Sequence, residues 1–183
     1  MRALAGLVRL LEALNHAIGE VAAWLVPLVV LVCAAVATLR YGLAFGRVWL
    51  QELYVVAFGL CFMLAAPRAY AEDAHVRIDI LSRAWGPRAR AAVELAGCLL
   101  FLLPWLAVVA WSSWPFVRLA WLVREPSPQS GGLPGLYLVK SAIPLFAALM
   151  LLQGLAAIAR SVLVLAGRAD LLPPVRRRAT LAE

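Results

Sequence analysis

Charge is scarce in this 183-residue chain, and histidine and cysteine are scarcer still. Charged residues make up 15% of it and hydrophobic ones 64%, whereas soluble domains carry about 25% and 45–50%. Two histidines, His16 and His75, lie outside the long apolar runs. Ligation of a haem by two histidines across a helical bundle is therefore excluded, and with it a membrane-cytochrome role. Cys33, Cys61 and Cys98 each fall inside an apolar run, and no CxxC occurs. They read as small hydrophobes rather than as a disulfide or zinc set. No glycine loop of phosphate-binding type and no metal-ligand spacing is present, and Ser112-Ser113 has no buried base to activate it. Redox, nucleotide and hydrolytic chemistry have no foothold here. Neither a cofactor nor a metal is expected, and the chain does not read as an enzyme.

What is present is apolar length. Uncharged stretches cover residues 21–39, 53–67, 95–117 and 141–159. A helix needs about 20 residues to cross a hydrocarbon core of about 30 Å. Three of the stretches have that length. The second is about a turn short and is completed by residues 48–52, which brings Glu52 near one membrane surface. The chain is thus expected to be an all-α integral membrane protein with four crossings, over residues 21–39, 48–67, 93–117 and 137–160. These make a transmembrane domain of residues 20–166, followed by a basic tail, residues 167–183.

Residues 1–19 have another texture. Leu4, Leu7, Val8, Leu11, Leu14 and Ile18 recur at helical spacing, with Arg9, Glu12, Asn15 and His16 on other faces. An amphipathic helix lying in the membrane interface is expected there. A cleaved signal peptide, with Ala35-Val36-Ala37 as its cleavage site, is the rival reading, but the apolar run is longer than such signals use.

Charge bias sets the orientation. Of 17 Lys and Arg residues, 12 fall at the two ends and between the second and third crossings. The other five, Arg40, Arg47, Arg118, Arg124 and Lys140, lie between the remaining crossings. The positive-inside rule puts the twelve, and both termini, in the cytoplasm. The net charge of +7 follows from these loops next to anionic lipid rather than from a nucleic-acid surface. Trp49, Trp114 and Trp121 fall near one set of boundaries and Trp24 and Trp85 near the other, as an aromatic belt requires. Trp105 and Trp111 are deeper and are expected to pack against protein. Pro104, Pro115 and Pro144 interrupt the last two crossings. No inverted repeat of the kind found in transporter cores is visible.

No ionisable group sits at the centre of a crossing, where such groups are costly and usually functional. Glu52, Lys140 and Arg160 lie near crossing ends, where they read as interfacial anchors. Glu52, beside Gln51, is the one acid that an ion-coupled carrier could use. The other polar stretch is residues 72–79, in which His75, Arg77 and Asp79 alternate with Val76 and Ile78. It reads either as a solvated loop capping a short helix that ends at Gly86-Pro87 or as a docking surface for a partner.

Three segments carry a family resemblance: Trp49-Leu50-Gln51-Glu52-Leu53; Ala74-His75-Val76-Arg77-Ile78-Asp79; and Gly131-Gly132-Leu133-Pro134 leading to Lys140-Ser141-Ala142-Ile143-Pro144 and Leu152-Gln153-Gly154. In order and spacing they resemble the DctQ-like small membrane subunit of tripartite ATP-independent periplasmic (TRAP) transporters of the bacterial inner membrane. The resemblance implies a three-part importer. A periplasmic binding protein captures an organic acid, a large membrane subunit moves it on a sodium gradient, and the small subunit serves as scaffold. It also implies that Gln51, Glu52, His75, Arg77, Asp79, Lys140 and Gln153 are candidates for the interface with the large subunit. Two functions of different class remain: a non-catalytic scaffold, and a self-sufficient oligomeric carrier working through Glu52.

Overall fold

The structure, a computed structural model, describes residues 1–74 and 85–173. They form helices α1 (Arg2–Ala23), α2 (Leu25–Leu43), α3 (Val48–Ala71), α4 (Pro87–Gly97), α5 (Leu103–Leu122), α6 (Leu136–Lys140) and α7 (Ala142–Leu165), with no strand among the described residues. One π-helical turn, Cys98–Leu102, joins α4 to α5, and a short 3₁₀ turn, Ala169–Leu171, follows α7. Taken through their breaks, four helical rods are long and apolar enough to cross a membrane: Arg2–Leu43, Val48–Ala71, Pro87–Leu122 and Leu136–Leu165. The chain is an all-α membrane protein.

Proline explains where the rods break. A proline lacks an N–H, and its ring clashes with the carbonyl four residues back. Four residues before Pro27 is Ala23, where α1 ends; Trp24 then makes a tighter bond, its N–H donating to the Val21 carbonyl at 3.2 Å. Lys140, four before Pro144, is where α6 ends. Pro104 follows the π-turn, in which the Leu103 N–H reaches five residues back to the Cys98 carbonyl. A π-turn absorbs a break in the ladder while the rod continues. Pro67 and Pro115 are carried inside α3 and α5 without a break, so Pro115 does not interrupt its crossing as expected from the sequence. Helix α3 therefore passes through Pro67 to Ala71, a turn beyond the uncharged stretch. Pro87 opens α4 from an extended Gly86, the position where a missing N–H costs least.

Helix α7 is the hub. It packs against α1, α3, α4, α5 and α6, burying Ala142, Ala147, Gly154, Ala156, Ala157, Ala159 and Ser161 along with larger residues. Small residues let helix backbones approach closely where lipid competes for apolar surface. An apolar cluster of Leu106, Ala147 and Met150, ringed by Tyr70, Leu102, Val109 and Phe146, joins α5 to α7.

Helix α1 runs into α2 with only the step at Trp24, and it packs on α3 and α7. Its buried stripe is Ala5, Val8, Leu11, Asn15, Gly19 and Ala22. Of the apolar face read from the sequence only Val8 and Leu11 lie in that stripe, while Leu7 and Leu14 point outward. The small residues seat the helix, and the leucines face its surroundings. Trp105 meets Phe146 edge-on at 6.1 Å between ring centroids. Trp111 is 84% exposed within the chain, so the protein neighbour expected for it is not one of the chain's own helices.

Candidate functional site

Polar groups gather at three levels along the bundle. At the first, near the start of α3, Glu52 holds the loop that links α5 to α6. One carboxylate oxygen accepts from Ser127 Oγ, and the other accepts from the Leu133 backbone N–H at 2.6 Å. The loop closes on itself as the Ser127 N–H donates to the Leu133 carbonyl at 2.9 Å and the Gly132 N–H to the Gln129 carbonyl at 3.0 Å. The Gly131-Gly132 pair makes this approach possible. Gly131 has φ +77°, in the left-handed region that side chains disfavour. A Cβ on Gly132 would stand 2.7 Å from a Glu52 oxygen and would strike Ser127.

Beside this clamp, Lys140 Nζ pairs with Glu125 at 2.5 Å and lies 3.9 Å from the centroid of the Phe116 ring. Trp121 Nε1 donates to Ser141 Oγ at 2.8 Å, and its ring meets Tyr137 edge-on at 4.8 Å. Gln51 is half-buried next to Glu52. The GLP segment, Lys140 and Glu52, far apart in sequence, thus form one cap over this end of the bundle.

The second level is a single amide pair between α1 and α7. Asn15 Nδ2 donates to Gln153 Oε1 at 2.9 Å and toward the Leu149 carbonyl at 3.4 Å. Both side chains are buried, and Asn15 Oδ1 has no hydrogen-bond partner. The bond ties the register of α1 to α7, because an amide left alone among apolar groups is costly.

The third level ties α1 to α3 and α7 through charge. Arg68 bonds Glu72 at 2.6 Å and Glu20 at 2.5 Å, while His16 Nε2 lies 3.8 Å from Glu72. The Arg68 stem lies across Gly19, where an added Cβ would come within 2.6 Å of its Cδ. Arg160 bonds Glu12 at 2.7 Å and donates to the Pro173 carbonyl at 3.3 Å, and Arg9 donates to the Leu171 carbonyl at 3.3 Å. Tyr70 donates to Glu94 at 2.5 Å, with Cys98 Sγ 3.4 Å away.

Of the seven residues singled out in the sequence, Gln51, Glu52 and Lys140 come together at the first level and Gln153 stands at the second. His75, Arg77 and Asp79 lie outside the described residues, as does most of the short helix expected before Gly86. Sequence reasoning missed Asn15, Ser127 and Glu125. Asn15 carried a signal, a polar residue in phase with Val8, Leu11 and Gly19. Ser127 and Glu125 carried none, since only the folded loop brings them to Glu52 and Lys140.

Chemically the arrangement is closed. Glu12, Glu20, Glu52, Glu72, Glu94 and Glu125 each have a partner named above, and Asp170 pairs with Arg168 at 3.6 Å. No group of three or more His, Cys, Asp or Glu side chains gathers for a metal among the described residues. Fold and site together define a multi-pass helical membrane protein whose polar groups bind its own helices and loop. The family model of the DctQ component of tripartite ATP-independent periplasmic transporters matches residues 28–164, most of the chain, and the chain belongs to that family. No curated protein and no solved structure matches it. It is accordingly the small membrane component of a TRAP-type transporter.

Proposed function

We propose that this chain is a non-catalytic scaffold for the large membrane subunit of its transporter, in a bacterial inner membrane. The assembly drives uptake of an organic acid, delivered by a periplasmic binding protein, on a sodium gradient. The observation that carries the reading is the occupied carboxylate of Glu52. A coupling acid must exchange protons or ions with its surroundings, whereas both oxygens of Glu52 are committed to Ser127 and Leu133. The self-sufficient carrier loses the acid it depended on.

In this reading Gln51, with the cap around Glu52 and Lys140, faces the large subunit on the periplasmic side. His75, Arg77 and Asp79 do so on the cytoplasmic side, where both termini also lie. Proteoliposomes test the division of labour. The purified chain alone should take up no solute under a sodium gradient, and adding the large subunit and binding protein should restore uptake. Uptake by the chain alone would overturn the proposal. Orientation has its own check: with Cys33, Cys61 and Cys98 replaced, a cysteine at Ser130 should react with an impermeant reagent added outside, and one at Ala74 should not.

A further inference from the structure

A groove of about 470 Å³ opens outward where α5, α6 and α7 meet. Its walls are Trp114, Val117, Trp121 and Pro144, with Ser141 at the helix break and Arg118 at the rim. That volume falls in the range of sites that hold small molecules. The polar members of the wall are already engaged with each other, Trp121 Nε1 donating to Ser141 Oγ. Lys140, the nearby ammonium, is neutralised by Glu125. Arg118 differs from both: it is exposed, and no acid pairs with it among the described residues.

An unpaired guanidinium above an apolar trough lined by tryptophan has a specific complement. Arginine offers a planar fork of donors that matches a phosphate with two parallel bonds. Its long stem lies along apolar surface while the charged head reaches the headgroup level. Tryptophan takes the same depth, its ring among chains and its polar edge among headgroups. A ligand that fits must carry an anionic phosphate joined to an apolar tail. The surroundings of a membrane-spanning helix supply one such molecule in abundance. Basic pockets between transmembrane helices hold lipid headgroups for this reason.

We propose that this groove is a phospholipid site, with the lipid phosphate on Arg118 and one acyl chain lying along Trp114, Val117 and Pro144. The site forms only because Pro144 breaks the helix at Ser141. The break lets Ser141 turn to Trp121 and leaves a trough where a straight rod would have presented a smooth face.

Native mass spectrometry of the full-length chain in non-ionic detergent, titrated with phosphatidylglycerol, reads the site directly. Wild type should retain one lipid beyond the non-specific background. Arg118→Ala should weaken that binding roughly tenfold or more, the scale of a lost charge-assisted bond, and Arg118→Lys should weaken it less. Leu122 also lines the groove, and Leu122→Trp, which crowds it but keeps Arg118, should also lower retention; it carries the test if Arg118→Ala does not fold. Glycerol phosphate, the headgroup chemistry without chains, should not displace the lipid; equal competition would make this a phosphate site and overturn the lipid reading. Equal retention by wild type, Arg118→Ala and Leu122→Trp would also overturn it. So would loss of the large subunit from Arg118→Ala with lipid retention unchanged, since the groove would then belong to a protein partner.

Discussion

Helix α7 buries eleven of its 24 residues, whereas α2, 19 residues long and just as apolar, buries none. Hydropathy does not separate the two, because both are rich in Leu, Val and Ala. The difference lies in arrangement. In α7 the small buried residues recur around the helix at Ala147, Ala156, Ala157 and Ala159, so neighbours approach it from several sides. A Cβ at Gly154 would stand 2.9 Å from Leu102 Cδ2, which measures how close that approach is. In α2 bulky residues face out on most sides, with Val26, Val30 and Leu31 more than half exposed. In water such a surface would be an aggregation hazard. In a bilayer it is ordinary, and α2 is held by its packing along α3.

The same change made in both helices should have very different effects. Ala156 is fully buried in α7 and Ala35 is exposed in α2. Overpacking a tight interior costs about 1–3 kcal/mol, so Ala156→Leu should approach the upper figure, while Ala35→Leu should change stability by less than about 0.5 kcal/mol. Unfolding in mixed micelles, followed by circular dichroism, reads both; similar losses would end the distinction between hub and periphery. A smaller effect is expected where charge fastens α1 to the hub. Arg160→Met removes the bonds to Glu12 and the Pro173 carbonyl and should cost about 2 kcal/mol, the scale of charge-assisted hydrogen bonds. The matching change Arg40→Met at the end of α2 should cost little. The smallest effect concerns the buried amide pair. Asn15→Leu leaves Gln153 without its donor and should cost about 1 kcal/mol, given the modest strength of interhelical bonds in membranes. Asn15→Leu with Gln153→Leu should recover part of that loss, because no amide is then stranded.

Much of the fold was legible because a bilayer allows few spanning structures, and uncharged runs of about 20 residues identify helices. The four crossings follow from that alone and the break in the last of them from Pro144, whereas the run of the first rod back to Arg2 and the step before Pro27 do not. The seat of α1 was not legible. Leu7 and Leu14 dominate its apolar pattern, yet contact with α3 and α7 selects Ala5, Gly19 and Asn15, whose value appears only at close range. At the site, Glu52 and the Gly131-Gly132 pair stood out in the sequence, while the bond between them did not. Glu52 and Leu133 are 81 residues apart, and no periodicity encodes a contact over a loop of that span.

In the proposed scaffold role, Glu52 clamps a loop and does not carry ions. Glu52→Gln keeps the shape and one acceptor oxygen but removes the charge. Uptake by the complete assembly of this chain, the large subunit and the binding protein, measured across a series of sodium gradients, separates the two roles. Uptake should keep the wild-type dependence on sodium, together with greater protease sensitivity of the loop around Ser127. Loss of sodium-dependent uptake in Glu52→Gln, with the loop as protected as in wild type, would contradict it.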